Sequence, residues 1–317
     1  MLFRTLLACL AGILVSPTLA QSFPDRPIRI IVPVNPGGGT DIFARKLVEL
    51  IGGSLGQPII VENRPGGSGT IGTQAVVDAR PDGHTLGFVW NTPLTAAPHT
   101  LGARYRPDSY TPVLRVGYSP FAICARPDFP AANLTEMVDR IRANPGQYTW
   151  GNEGMGGVMH LGVERVWRQL GLDLTAVPFQ GAGQTLPAFL GGHITFYGGS
   201  LTGVVSALQA GTARCLMLTT AEGSPEVPGS QGLASIGHAE MAVTIWWGLI
   251  APREVPADRL ARLTAAFTEA AHRPEFATLM AQQAAVLQIE TGDAFAASIH
   301  AEYEALGAVA RQLNLLR

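Results

Sequence analysis

Lysine is almost absent from this 317-residue sequence, in which Lys46 stands beside 21 arginines. The scarcity leaves almost no candidate for Schiff-base or P-loop lysine chemistry. Acidic and basic residues nearly balance at a net charge of −2, so the chain lacks the basic face that nucleic-acid binding requires. With 47% hydrophobic and 15% charged residues, the composition excludes intrinsic disorder. The length predicts about two domains.

Sequence motifs of catalysis and metal binding are missing as well. The run 66–70 ends in threonine where a nucleophile elbow needs glycine. The run 37–41 lacks the Lys-Ser/Thr ending of a P-loop, and no G-x-G-x-x-G follows the first predicted strand. The seven histidines never stand at i,i+4, which excludes a helical zinc pair. We therefore expect neither a cofactor nor a metal ion.

Residues 1–20 have the composition of a secretory signal peptide. Arg4 precedes an apolar run at 6–15, and small residues lead to a predicted cleavage after Ala20. Pro17 interrupts the apolar run before it reaches the roughly 20 residues that a membrane span needs. We expect export of the mature chain to the periplasm.

Two cysteines, Cys124 and Cys215, remain after that cleavage. An oxidising compartment permits one disulfide between them. Both lie in apolar, strand-like runs, which favours the alternative that they are two small buried hydrophobic residues.

Strands and helices alternate along the mature chain. Residues 28–33 are an apolar run of strand length, and apolar residues at 42–55 recur at the three- and four-residue spacing of a helix. Thr40 or Asp41 is predicted to be the N-cap of that helix. The pattern repeats from a second strand at 59–62, and such alternation predicts parallel pairing in an α/β fold.

A second α/β series follows a predicted domain crossing at residues 117–120. One of its helices begins with a capping box formed by Asn133 and Glu136. Residues 243–250 are predicted to be a strand that returns to the first series, and helices close the chain. The predicted organisation is a first lobe of residues 21–118 and 241–317 and a second lobe of residues 119–240. Hinge motion is expected at the two connections.

Glycine-rich turns occur where predicted strands end, at 35–41, 66–70 and 151–157. Ligands of open α/β sheets bind beyond the carboxyl ends of the strands, where N–H groups of helix N-termini face the crevice. A single such loop is explained equally well as a tight turn. Recurrence in both lobes favours a cleft that holds a small anion through backbone donors.

Several short sequence motifs occur along the chain in a distinctive order and spacing. They are PIRIIVP (27–33), PGGGTD (36–41), VENRPG (61–66), PDGHTL (81–86), ANPG (143–146), VPFQG (177–181) and WGLIAP (247–252). From about residue 23 to the C-terminus the sequence resembles the Bug family, the extracytoplasmic solute receptors of tripartite tricarboxylate transporters. The resemblance implies a type II periplasmic-binding fold, an α/β fold of two Rossmann-like lobes that close on a small, usually carboxylated ligand.

The resemblance also implies the residues of a ligand site. Two loops are expected to hold one carboxylate through N–H groups, hydroxyls and waters. Their residues are Asn35, Pro36, Gly37, Gly38, Gly39, Thr40, Asp41, Asn152, Glu153, Gly154, Gly156 and Gly157. The rest of the ligand is expected to face Ser68, Asn91, Thr92, Gln180, Gly181 and Ser200. His160 is a further candidate, for which a local cap or core hydrogen bond is favoured over a ligand contact.

Three departures from the family pattern bear on the ligand. Glu153 adds an acid to the second loop, Gln180 replaces a common cation, and Gly157 begins a stretch where small hydroxyl residues are common. Because charged donors make the stronger hydrogen bonds to carboxylates, we expect a monocarboxylate, amide or aromatic acid rather than a tricarboxylate. Apolar wall is expected from Trp90, Phe179 or Trp246, with core packing for at least one of the tryptophans.

The predicted function is that of a monomeric solute receptor which delivers its ligand to transporter membrane subunits through transient contacts. A sensor of the same fold is an alternative. A secreted enzyme that uses Glu153 and His160 as an acid/base pair is a weaker one, because nothing in the sequence orients the two side chains.

Overall fold

The computed structural model describes residues 23–179, 181–224 and 226–317. The predicted signal peptide and its cleavage after Ala20 lie outside the described residues. The strands of the described chain are β1 Ile28–Val32, β2 Ile59–Asn63, β3 Thr85–Trp90, β4 Tyr110–Ala125, β5 Thr149–Asn152, β6 Thr175–Pro178, β7 Phe196–Ser200, β8 Arg214–Leu218, β9 Thr244–Pro252 and β10 Val286–Thr291. The α-helices are α1 Gly39–Ile51, α2 Thr70–Val77, α3 Ala97–Thr100, α4 Leu134–Ala143, α5 Val158–Gln169, α6 Ala182–Leu190, α7 Val205–Gln209, α8 Ala257–Ala271, α9 Pro274–Gln282 and α10 Gly292–Gln312.

The long strand β4 joins two regions of sheet. Up to Pro120 it pairs with β9, and its residues 114–118 pair with β10 on the other side. From Phe121 it pairs with β7 and β8. The first sheet region therefore has the order β2-β1-β3-β9-β4-β10, and the second has the order β6-β5-β7-β4-β8. Residues 117–120 lie within this strand, and the lobe boundaries at 118 and 240 stay predictions.

Parallel pairing occurs where the alternating pattern predicts it. β1 pairs in parallel with β2 and β3, and β5 pairs in parallel with β6 and β7. Ile30 and Val32 pack into one apolar cluster and Ile31 into another, so β1 is covered on both faces. Burial on both faces explains the unbroken apolar sequence of this strand. The α/β prediction is confirmed.

The predicted N-cap of α1 is wrong. The helix begins at Gly39 with Gly38 as its N-cap, so Thr40 and Asp41 lie inside its first turn. Gly37 has a φ of 91°. Glycine adopts this conformation at little cost. The chain therefore enters the helix at Gly39, before the predicted side-chain caps Thr40 and Asp41.

Three helices, of which α3 has only four residues, and a strand were not predicted from the sequence. α6 begins after Gly181 and contains Pro187, and this composition argues against a helix. α7 spans only five residues. β10 is an edge strand with exposed Val286, and it is held by its pairing with β4 rather than by a strong pattern of its own.

Cys124 and Cys215 form a disulfide. The favoured expectation of two unlinked buried residues is therefore wrong. The pairing register of β4 and β8 places the two cysteines directly opposite each other. Both remain buried, at 0% and 3% exposure, so burial and bonding occur together.

Candidate ligand-binding cleft

A cleft of about 990 Å³ opens beside the carboxyl ends of β1, β3, β5 and β7. This is where ligands of α/β sheets bind. Its lining includes these predicted site residues: Asn35, Pro36, Gly37, Gly38, Gly39, Thr40, Ser68, Thr92, Glu153, Gly154, Gly157, Gly181 and Ser200. Gln180 lies outside the described residues. The chain therefore brings most of the predicted site together around one space.

The loop before α1, residues 35–40, has the geometry of an anion site. Positions where Gly37 and Gly38 would carry a Cβ meet nothing within 4 Å, so this stretch of backbone faces open space. α1 begins at Gly39 without a side-chain cap. The N–H groups in the first turn of a helix have no partners inside the helix, and they carry its positive dipole end. This loop can therefore bind a carboxylate through backbone donors.

Asp41 lies under that loop rather than in the cleft lining. Its carboxylate accepts hydrogen bonds from the Gly37 N–H and from the Arg45 guanidinium, both at 3.0 Å. The amide of Asn63 donates to it at 2.8 Å. Burial opposes ionisation, but the Arg45, Gly37 and Asn63 donors together lower the pKa of Asp41. Asp41 thus stays ionised and fixes Gly37 in its turn.

Trp247 reaches the cleft, and Trp246 does not. The indole N–H of Trp247 donates to Oγ1 of Thr40 at 3.1 Å. Because an indole is only a donor, Thr40 accepts this bond and its own proton is available to an acceptor in the cleft. Trp246 is buried on the opposite face of β9 and donates to Glu302, so the expectation that it forms the apolar wall is wrong. Trp90 lines the cleft as expected, whereas Phe179 is outside the lining.

Most of the N–H groups of the second loop already have acceptors within the protein. The Gly154 N–H donates to Oδ1 of Asn152 at 3.1 Å, and the Gly156 N–H donates to Nδ1 of His160 at 3.2 Å. At the start of α5, the Val158 N–H donates to Oγ1 of Thr92 at 3.1 Å. The expectation that this loop offers the same backbone donors as the first loop therefore needs correction. A ligand would have to compete with these internal acceptors for the N–H groups of the loop.

Four further predicted residues lie behind the lining. Asn152, Gly156 and His160 hold the second loop as described, and all three are buried. Asn91 is fully buried and donates to the Thr244 carbonyl at 2.9 Å and to Glu302 at 2.7 Å. These residues position the loops rather than face the ligand.

His160 makes the local hydrogen bond that its sequence context favours. Its Nδ1 accepts the Gly156 N–H, and its ring stacks on Trp150. Burial lowers the pKa of His160 to about 4, so the ring is neutral near pH 7. A neutral imidazole engaged with the backbone is poorly suited to act with Glu153 as an acid/base pair.

Glu153 is the only ionisable side chain among the cleft-lining residues of the described chain. Its Oε1 accepts the Tyr197 hydroxyl at 2.8 Å. Burial raises the pKa of Glu153 to about 7, although hydrogen bonds from Tyr197 and Ser200 oppose the rise. Lysine, arginine and histidine are absent from the same lining.

Several lining residues were not predicted from the sequence. They are Ile245 and Trp247 of β9, Thr202 after β7, Phe121 of β4, and Ala182, Gly183, Gln184, Leu186 and Pro187 of α6. Thr202 follows the predicted site residue Ser200 by two positions, a signal that could have found it. The α6 residues could not be found because the helix itself was not predicted.

Residues 23–179, 181–224 and 226–317 contain neither a candidate membrane span nor a candidate metal site. None of the helices there is long and apolar enough to cross a membrane. No group of three or more His, Cys, Asp or Glu side chains in this part of the chain is arranged to hold a metal ion.

The chain is similar in sequence and structure to several known proteins. Residues 43–315 match the family described as tripartite tricarboxylate transporter family receptor. A UPF0065 protein of Bordetella pertussis is 34% identical over 258 residues, which are 81% of this chain and 80% of that protein. The structure of MatC from Rhodopseudomonas palustris with bound malate is 30% identical, with a TM-score of 0.81 over 90% of this chain and 99% of that one. The periplasmic binding protein BugD is 26% identical, with a TM-score of 0.83 over 93% and 99% of the two chains.

These similarities confirm the predicted periplasmic-binding fold and the resemblance read from the sequence motifs. Members of the family are binding proteins rather than enzymes. The match extends through both sheet regions that border the cleft. The chain therefore belongs to the Bug family, the periplasmic solute receptors of tripartite tricarboxylate transporters.

Proposed function

We propose that this receptor binds a ligand with one carboxylate and an uncharged remainder, such as a monocarboxylic acid, an acid amide or an aromatic acid. The observation that carries the proposal is the charge of the cleft lining. Its one ionisable side chain is acidic, and the lining formed by the described residues holds no cation to pair with a second or third carboxylate. Tricarboxylates would place unpaired charges in a partly desolvated site, which is costly.

The ligand carboxylate is assigned to the loop before α1. That loop leaves the first-turn N–H groups of α1 uncapped, and the Thr40 hydroxyl beside them is set to donate. The second loop bonds to itself and to Thr92 and offers fewer donors. One end of the cleft thus favours negative charge, whereas the end at Glu153 does not.

Apolar surface accounts for the rest of the binding energy. Trp90, Phe121, Met159, Ile245 and Trp247 line the space between the two loops. Flat aromatic rings suit a planar acid or amide. The solved relative MatC holds malate, a small organic acid, which supports the size class of the ligand.

The same proposal covers the setting of the receptor. We propose that the signal peptide is cleaved after Ala20 and that the mature chain is periplasmic. There it acts as a monomer whose two lobes close on the ligand. Closure would present the bound form to transporter membrane subunits, because a ligand shifts the population toward the state that it binds better.

A thermal-shift screen followed by calorimetry tests the ligand class. The panel contains citrate as tricarboxylate, succinate as dicarboxylate, and benzoate, succinamate and benzamide as single-charge or neutral ligands. We expect the single-charge acids benzoate or succinamate to raise the Tm more than neutral benzamide, which lacks the carboxylate, since a ligand stabilises the state that it binds. Tight citrate binding without binding of any monoacid or amide would refute the proposal.

A further inference from the structure

Two acceptors near Glu153 compete for the single hydroxyl proton of Tyr197. The Tyr197 hydroxyl lies 2.8 Å from Oε1 of Glu153 and 3.0 Å from the carbonyl oxygen of Ser200. A phenol has one proton and can donate to only one of these acceptors. If Glu153 carries a proton, it donates to Tyr197 and Tyr197 donates to the Ser200 carbonyl. This arrangement satisfies all three groups. Tyr197 and Ser200 can instead donate to an ionised Glu153, so the geometry accommodates the glutamate in either protonation state.

The surroundings of this carboxyl group contribute no charge. Gly199 and Gly203 pack so closely against Oε1 that a side chain on Gly199 would overlap it. Tyr197 is the titratable group that faces Glu153, and burial raises its pKa well above 10, so it stays neutral. His160 of α5, which accepts the Gly156 N–H of this loop, is also neutral because burial lowers its pKa to about 4. Glu153 therefore titrates alone.

Glu153 also lies within one ligand length of the anion-binding loop. Oγ1 of Thr202 donates to Oγ of Ser200 at 3.0 Å, and Ser200 in turn bonds to Glu153. The same Thr202 atom lies 3.5 Å from the position of a Cβ on Gly39, at the start of α1. A chain of a few contacts thus spans the cleft from the donor end to the acid.

We propose that Glu153 selects the far end of the ligand by its own protonation. This inference rests on the proposed function, which places a carboxylate on the loop before α1. Ionised Glu153 accepts a hydrogen bond from an amide or another neutral donor at the far end of the ligand. A carboxylate at that end is admitted only when one proton is held between it and Glu153, because two facing carboxylates cannot both be ionised.

The consequence is a linkage between pH and specificity. Burial places the pKa of Glu153 at about 7. Above that pH, a dicarboxylate must bring a proton into the site, and its affinity falls about tenfold for each pH unit. A monoamide of the same length needs no proton, so its affinity stays nearly constant.

Succinate and its monoamide, succinamate, are matched probes of this linkage. Calorimetry is carried out from about pH 7 to 9, where both probes keep a fixed charge. We expect the ratio of succinamate to succinate affinity to grow about a hundredfold over this range. Glu153→Gln mimics the neutral acid and should hold the ratio constant. Repetition in buffers of different ionisation enthalpy should show uptake of one proton with succinate by the wild-type protein, which needs no variant.

Glu164→Gln is the matched control. Glu164 lies in α5, burial raises its pKa as well, and it is outside the cleft lining. It should keep the wild-type pH dependence. A pH-independent ratio in the wild type, or an unchanged pH profile in Glu153→Gln, would overturn the role of Glu153 and leave the proposed function intact. Failure of every acid and amide in the panel to bind would overturn the proposed function, and this inference with it.

Discussion

The indole N–H of Trp247 donates to Oγ1 of Thr40 over 3.1 Å and ties β9 to the first turn of α1. The neighbouring Trp246 bonds to Glu302 on the other side of the sheet. Successive side chains of a strand face opposite ways, so adjacent tryptophans serve different ends. Trp247 orients a donor toward the cleft, while Trp246 satisfies a buried carboxyl group.

Trp247→Phe is expected to weaken binding of a carboxylate probe such as succinamate about fivefold. The variant loses one hydrogen bond, worth about 1 kcal/mol, and frees the Thr40 hydroxyl to rotate. Calorimetry measures the change. Trp246→Phe is the matched control, which should lower the free energy of unfolding by about 1–3 kcal/mol because Glu302 loses a donor, and should leave affinity within twofold. Equal losses of affinity in the two variants would contradict the assignment.

Gly39 and Gly198 lack a side chain for different reasons, ligand approach at Gly39 and close packing at Gly198. Alanine substitution at each position distinguishes the two roles. A Cβ on Gly39 would lie 3.5 Å from Oγ1 of Thr202, an ordinary contact, but it would stand at the donor end of the cleft. A Cβ on Gly198 would overlap the Gly151 carbonyl and lie 2.8 Å from Trp150. Gly39→Ala should keep the free energy of unfolding within about 1 kcal/mol yet reduce succinamate affinity about tenfold or more.

Gly198→Ala should instead destabilise the fold by about 1–3 kcal/mol, because overpacking forces the backbone apart. Urea unfolding and calorimetry give the two readouts. Wild-type affinity in a folded Gly39→Ala variant would show that the ligand does not approach this turn.

Local features of this fold were readable from the sequence. The Asn133 side chain accepts the Glu136 N–H at 2.9 Å, so the capping box placed the start of α4 at the observed residue. The apolar run of β1 and its glycine-rich turn predicted a parallel strand that leads into a helix. These features depend on residues a few positions apart, which a sequence displays directly.

Features set by distant partners were not readable. The second loop gives up a donor because Thr92 accepts from Val158, 66 positions away. The disulfide depends on the register of β4 against β8, and the choice between Trp246 and Trp247 depends on which face of β9 meets the cleft. A shift of one residue reverses every side chain of a strand, and composition does not fix that register.

The disulfide between Cys124 and Cys215 joins residues 91 positions apart. Closing a loop of that length restricts the unfolded chain, so the double variant Cys124→Ala with Cys215→Ala should lose about 2–4 kcal/mol of unfolding free energy. Urea unfolding under oxidising and reducing conditions measures this loss. Because both cysteines are buried, mild reductant without urea should leave the wild-type protein unchanged. Rapid reduction of the folded protein would contradict the burial of this bond.

Asp41→Asn tests whether the buried carboxylate holds the loop before α1. The bonds from Arg45, Gly37 and Asn63 lower the pKa of Asp41 in the folded protein below its ordinary value of 3.8. A carboxyl group with a lowered folded-state pKa stabilises the fold at neutral pH, and this contribution is lost as the pH falls through that pKa. The variant should therefore be about 1–2 kcal/mol less stable than wild type at pH 7, with the difference shrinking below about pH 4.

The control variant Asp139→Asn removes an exposed ion pair with Arg142 and should change stability by less than about 0.5 kcal/mol. Urea unfolding at pH 7 and pH 3 gives the comparison, and a deficit of equal size at the two pH values would show that the loss of stability does not come from the charge of Asp41.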